Sequence, residues 1–415
     1  MYEYLIIGGG ITGVALGRLL QKRGIENFLI LESSPHAGGL CRSKEISGHH
    51  LDLGGGHFLC TKYPEVYDFI FEHLPKSELN WFSRVSKVQL GGETIDYPVE
   101  SNLWQLSLEN QIDFVLATLR NGQSRDEAEP TNYREWIFWK LGEQIATQYM
   151  LPYNEKIWGV GPEEMAIDWL QKIPVIDAKE VLRACLSREM DRKYMPSHAG
   201  FYYPKRGGFQ TIFDAIHAPV SGNIALSEPV AKLEKKSDHW LVNGRYKAVN
   251  VVNTAPWPGL WEALGAPADL REDFDRLRSN SIVVSLWERP YAHDWHWLYL
   301  PDRAKPHHRE FFIHNFAPHS APAGMYTETN IKRWPKGGKW AGGAPLFEHR
   351  NDAAYPIPVL GHARAIRGVL DYYRPMQLFG LGRWGQWQYF NSDVCIWEAM
   401  RWVRENVRQA QSSTI

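Results

Sequence analysis

Cysteine is scarce in this chain of 415 residues: four, Cys41, Cys60, Cys185 and Cys395, each standing alone. No Cys-x-x-Cys and no Cys/His pair has zinc-ligand spacing. The expectation is reduced thiols in a cytoplasmic protein, not a disulfide framework. Charge of one sign is lacking too. Lys and Arg number 46 against 47 Asp and Glu, a net charge of −1. That leaves no electrostatic footprint for nucleic acid or an anionic membrane. No apolar run approaches the ~20 residues of a membrane span. No cleavable signal is expected, because the first strand starts at residue 2 and carries a motif that cleavage would destroy. The histidine clusters HDWHW (His293, His296) and PHHRE lack a third ligand at metal spacing, so no metal is expected. There are no internal repeats. Tryptophan, by contrast, abounds. Eighteen are too many for core filler alone, so some should line a pocket or an interface.

The length calls for two or three substructures. The first is legible at once in MYEYLIIGGGITGVALGRLL. Tyr4 to Ile7 is a short apolar run suited to a buried parallel strand. Gly8, Gly10 and Gly13 then fit G-x-G-x-x-G, with Ile11 and Thr12 on the same turn. Helical spacing follows from Val14 to Leu20. A second apolar run, Phe28 to Leu31, ends at Glu32. This is a βαβ unit with its acidic terminus. The glycines let backbone N–H groups at a helix N-terminus approach a pyrophosphate, and Glu32 would accept from a ribose.

Beyond Glu32 comes SSPHAGGLCRS. Its Gly38, Gly39, Leu40 and Arg42 resemble the second glycine pair and supporting arginine of FAD enzymes of the glutathione-reductase-like and amine-oxidase-like group. Gly54, Gly55, Gly56 and His57 resemble the loop beside the isoalloxazine in that group. The resemblance implies FAD. It also implies cofactor roles for Val230, whose backbone would pair with adenine, and for Gly382 and Arg383 at a strand end. Asn391 is expected to cap a helix whose first residues, Ser392, Asp393 and Val394, would face the flavin. The fold expected is α/β: a Rossmann-like, glutathione-reductase-like FAD-binding domain made of 1–65, 200–265 and 365–415. A mainly helical insertion would occupy 66–199. A mixed-sheet substrate domain, with the strand-like runs SIVVSLW and EFFIHNF, would occupy 266–364, with the glycine- and proline-rich stretch 318–345 as a mobile loop.

Five inner segments occur in order: YNEKIWGVGPEEMAIDWL, FYYPKRGGFQTI, LYLPDRAKPHHREFFIHNFAPHSAP, AAYPIPVLGH and GRWGQWQYFNSD. Together they resemble UDP-galactopyranose mutases, chiefly the eukaryotic type, and the protoporphyrinogen-oxidase-like flavoproteins near them. The resemblance implies a redox-neutral pyranose–furanose mutase acting in polysaccharide biosynthesis. Reduced flavin N5 would attack the anomeric carbon of a UDP-sugar-like substrate. It implies that Arg309, Tyr299, Tyr355 and Tyr389 hold the diphosphate. It places Asn154 and Trp158 on the uridine and sugar side, and His57 against the flavin, with His57, Arg309 and Tyr355 as the catalytic set. A second arginine of the family has no counterpart in LQKIPVID; the nearest cation is Lys172, which cannot grip a phosphate with two prongs. The reductant would be NAD(P)H or a reduced flavin. Oligomeric state is left open. The competing reading is an amine-oxidase-like oxidase or desaturase, or an FAD-dependent sugar-nucleotide dehydrogenase. A scaffold that keeps FAD without chemistry is the reading furthest from enzymes.

Overall fold

The computed structural model describes residues 1–170, 178–189, 199–334 and 343–407. Among them two seven-stranded sheets dominate. The first is built around Tyr2–Ile7, which pairs in parallel with Phe28–Leu31 on one side and Tyr246–Asn253 on the other. Leu5 and Ile6 are wholly buried, as continuous apolar runs in a parallel sheet should be. Ile224–Ala225 extends one edge. Leu378–Gly380 adds in parallel to the end of Tyr246–Asn253, whose start pairs antiparallel with Trp240–Val242, which in turn pairs antiparallel with Leu233–Lys235. Helix Ile11–Lys22 lies on this sheet and packs against the last described helix, Ser392–Asn406. Gly17 permits the close approach: a Cβ there would stand 2.9 Å from the Phe28 ring.

The second sheet runs in the order Phe347–Pro356, Ser279–Glu288, Gly324–Asn330, Arg309–Phe312, Trp297–Tyr299, Ser86–Leu90, Glu93–Asp96. Its pairings are antiparallel except Trp297–Tyr299 with Ser86–Leu90. Three expectations change here. The 66–199 stretch is not only helical, because Ser86–Leu90 and Glu93–Asp96 complete this sheet before the helices Leu108–Leu119, Tyr133–Leu141, Leu151–Trp158 and Ala178–Ser187 begin. The run EFFIHNF is a strand only as far as Phe312; Ile313–Phe316 is one helical turn.

The third correction is the largest. The loop expected over 318–345 contains an interior strand, Gly324–Asn330, buried along its whole length. Its polar composition, TETN, disguised it. Most of these polar groups are paired inside, Thr329 Oγ1 being the exception: Thr327 Oγ1 accepts from Trp287 Nε1 at 3.0 Å, and Asn330 Nδ2 donates to the Ile157 carbonyl at 2.8 Å. Glu328 stands directly across from Arg309 in the pairing register. Burying polar side chains is tolerated when each finds a partner. Residues 335–342 of that stretch lie outside the described residues.

Among the described residues no helix is long and apolar enough to cross a membrane.

Candidate functional site

A cavity of about 650 Å³ opens at the C-terminal ends of Tyr2–Ile7 and Phe28–Leu31, the usual ligand position in an open parallel sheet. Of the residues read as cofactor-binding, Gly8, Gly10, Ile11, Thr12, Glu32, Gly39, Leu40, Arg42, His57, Val230, Arg383 and Ser392 line it. Gly10 is the N-cap of helix Ile11–Lys22. The place where its Cβ would stand has nothing within 4 Å, so free backbone N–H groups of a helix N-terminus face open space. Glu32 is already oriented, with one carboxylate oxygen accepting from Gly9 N and the other from Ser34 N, both at 2.8 Å. Gly38, with φ of +120°, donates its N–H to the Gly9 carbonyl at 2.9 Å and so joins the two glycine loops. An open helix N-terminus, an oriented acid and a second glycine loop fit a dinucleotide.

The other predicted cofactor residues do not line the cavity. Gly13 and Gly382 are packing positions: a Cβ at Gly13 would lie 2.0 Å from the Gly8 carbonyl oxygen, and one at Gly382 would lie 2.3 Å from Thr12 Oγ1. Gly55 and Gly56 press against the second sheet. Asp393 is buried and Val394 half-buried in the first turn of Ser392–Asn406. Asn391 is that helix's N-cap residue, without a side-chain capping bond. The cavity also has a wall that the sequence did not reveal. His349 to Ala353, from the outer strand of the second sheet, line it, and Asn351 Nδ2 donates to the Leu53 carbonyl at 2.7 Å.

His57 marks the boundary between cavity and second sheet. Its Nδ1 lies 3.0 Å from the Gly55 carbonyl, which fixes the proton on Nδ1 because a carbonyl can only accept. Burial pushes this imidazole down to about 4, so it is neutral at physiological pH. Behind it, Glu328 Oε1 accepts from Gly56 N at 2.6 Å, while Oε2 accepts from Arg309 Nε at 2.8 Å and lies 2.5 Å from Arg309 Nη2. Glu328 is fully buried. Burial alone would raise its carboxyl, but Arg309, His308 and the Gly56 N–H outweigh it and hold the group near 2. Arg309 Nη2 also donates to the Tyr355 hydroxyl at 3.0 Å.

Tyr355 and Tyr389 meet edge to face with ring centroids 5.3 Å apart. The Arg383 guanidinium stands 5.7 and 5.8 Å from these two rings and donates to the carbonyls of Phe390 and Ala354. Trp158 closes the base of this group, 5.5 Å from Tyr389. Its Nε1 donates to Asn154 Oδ1 at 3.0 Å, and Asn154 Nδ2 donates to the Met150 carbonyl. Both are buried, so they buttress the aromatic wall from behind. Tyr299 faces Tyr153 and Tyr97 at 5.5 and 5.3 Å. Lys172 lies outside the described residues.

Sequence reading missed two charged groups here. Glu328 sat in a stretch read as loop. Arg84, just before Ser86–Leu90, donates to the Tyr299 hydroxyl at 3.0 Å. Nothing local in TETN marks Glu328 as buried, and nothing local distinguishes Arg84 from a surface arginine.

The family model for an NAD(P)-binding Rossmann-like domain matches residues 6–73. Among curated proteins the chain is 24% identical over 179 residues to the dTDP-fucopyranose mutase of Escherichia coli, covering 42% of this chain and 46% of that protein. It is 24% identical over 220 residues to the UDP-galactopyranose mutase of Mycoplasma pneumoniae, covering 51% of each. The chain thus spans about half the length of the curated relatives it matches. Among solved structures, a reduced UDP-galactopyranose mutase superposes with a TM-score of 0.86 at 22% identity, over 99% of this chain and 97% of that one. The resemblance read from the sequence is therefore shown at the level of the fold, and the chain is α/β with a Rossmann-like domain.

Proposed function

We propose that this chain is an FAD-dependent nucleotide-sugar enzyme, a pyranose–furanose mutase. One observation carries the reading. The dinucleotide cavity and the tyrosine–arginine cluster share a wall: His57 lines the cavity, and Gly55 and Gly56 behind it press on the sheet that carries Glu328, Arg309 and Tyr355. Bound in the cavity, reduced FAD would supply a nucleophilic nitrogen toward an anomeric carbon.

The protein's own part follows from its side chains. Gly8 to Thr12 and Gly39 would hold the cofactor pyrophosphate by backbone donors, and Glu32 would hold a ribose. Neutral His57 adds no charge beside the ring system and leaves Nε2 to accept. Burial raises the phenols of Tyr355 and Tyr389, so both stay protonated and can donate to an expelled diphosphate. Donors fixed where charge develops stabilise a leaving group without reorganisation. Arg383 adds a positive charge between the two rings and the cavity. Asn154 and Trp158 keep the wall in place. The mutase relatives and the fold support this substrate class, and NAD(P)H or a reduced flavin is the reductant we propose.

The test is spectral and chemical. The purified protein is reduced with dithionite under nitrogen and titrated with UDP and UDP-galactose. A shifted flavin spectrum and a furanose product without oxygen uptake are expected. Turnover with oxygen consumption and peroxide would favour an amine-oxidase-like oxidoreductase, and no response to any nucleotide would overturn the proposal.

A further inference from the structure

The large cavity takes a wall from each sheet. On the first side stand the open N-terminus of Ile11–Lys22, the second glycine loop and Arg42. They form one cluster. A Cβ on Gly39 would lie 3.5 Å from Gly10 Cα, and one on Gly38 would lie 2.7 Å from Arg42 Cγ. The stem of Arg42 thus packs on the glycine loop. Among the described residues no carboxylate pairs with its guanidinium.

The facing wall is the outer strand of the second sheet, Phe347–Pro356. Exposure alternates along it. His349, Asn351 and Ala353 are half-buried, whereas Glu348, Arg350 and Asp352 are exposed. Side chains of one parity therefore face inward, and His349, Asn351 and Ala353 all line the cavity. The strand is fastened beside His349. Asn351 Nδ2 donates to the Leu53 carbonyl at 2.7 Å, and the Ala354 carbonyl accepts from Arg383 Nη1 at 3.0 Å. Burial, then Arg42 and Lys44, hold the His349 imidazole below its usual 6.5, while Asn351 and Asp352 pull the other way. An imidazole from one sheet thus stands within electrostatic reach of two cations from the other. The acid among its neighbours, Asp352, lies on the exposed parity of the strand.

We propose that His349 is a ligand of the cofactor's pyrophosphate, so that the second sheet grips the dinucleotide together with the glycine loops. This rests on the cavity being an FAD site. A bare imidazole beside two cations resists a proton. A pyrophosphate beside it reverses the sign and favours imidazolium, which then donates a charge-assisted hydrogen bond. Cofactor binding should therefore draw a proton onto His349 and tighten as pH falls. His349 and Tyr355 share one strand, so the same grip also fixes the strand that carries a wall of the tyrosine cluster.

Equilibrium dialysis of the holoprotein, followed by flavin fluorescence, reads the FAD dissociation constant at about pH 6 and about pH 8. The parent should bind several-fold more tightly at the lower pH. His349→Gln should weaken FAD about tenfold there, the worth of a hydrogen bond to a charged group, and should shrink the pH difference. His349→Lys keeps a charge at both pH values. It should bind as the parent does at the lower pH and retain that affinity at the higher one. An unchanged constant in His349→Gln overturns the proposal. So does an equal loss in the Gln and Lys variants, which would mark the imidazole as wall packing. A parent that holds no FAD overturns both this proposal and the functional reading. FAD held through His349 with no nucleotide sugar converted would sink the mutase reading and leave this one standing.

Discussion

The two seven-stranded sheets present opposite surfaces. The first buries apolar strands so that glycine turns at their ends offer backbone N–H groups. The second buries a polar strand so that it offers side chains. Backbone donors sit wherever the chain is forced to turn, and they tolerate no added bulk. Side-chain donors need a partner for every buried charge, and they tolerate no lost one. The same 415 residues therefore contain a site that fails by overcrowding and a site that fails by unpairing.

The largest effect should come from crowding the first. Gly13→Val pushes a branched side chain into the Gly8 carbonyl. Loss of bound cofactor is expected, read as a colourless purified protein. Next comes unpairing the second. Glu328→Gln leaves the partly buried Arg309 without its counter-charge, which should cost about 3 kcal/mol in urea unfolding. If it costs under about 1 kcal/mol, the contrast between the sheets collapses.

Acid should strain the second sheet by another route. Burial pushes His296 and His308 each down to about 4 from an ordinary 6.5. Between those values the unfolded chain binds protons that the folded chain refuses. Stability contributed by these groups is full above pH 6.5 and lost as pH falls toward 4. Asp52 opposes this. Buried, and accepting from Ser43, Tyr203 and Phe209 N, its carboxyl is raised to about 6, so its contribution declines as pH rises from near 4 to near 6. Urea midpoints measured across pH 4–7 should separate the two. His296→Asn, which keeps an acceptor for the Val85 N–H, should flatten the histidine part. The smallest effect is expected of Tyr355→Phe. It removes one hydrogen bond from Arg309, at about 0.5–1.5 kcal/mol of stability, with a modestly weaker response to UDP.

Legibility in the sequence followed the same divide. The turn at Gly8, Gly10 and Gly13, the acid at Glu32 and the strand before the glycines are local features. Spacing and an apolar run specify them without knowledge of anything distant. The cavity wall from His349 to Ala353 was invisible because it belongs to a strand far along the chain from the glycines. Gly324–Asn330 was read as loop because hydropathy measures a residue's own preference. Thr327, Glu328 and Asn330 are buried on account of Trp287, Arg309 and the Ile157 carbonyl, and no window along the chain contains those partners. Gly13 and Gly382 fall on the turns expected, and there each removes a collision between chain segments without lining the cavity.

Glu328 divides its two oxygens, Oε1 on Gly56 and Oε2 on Arg309. One carboxylate is thus a toggle bolted to both lobes. Anything that tugs the guanidinium must slacken or tighten the turn next to His57, and the reverse holds with equal force. By thermodynamic reciprocity, any factor by which an occupant on one side changes affinity on the other holds equally in reverse.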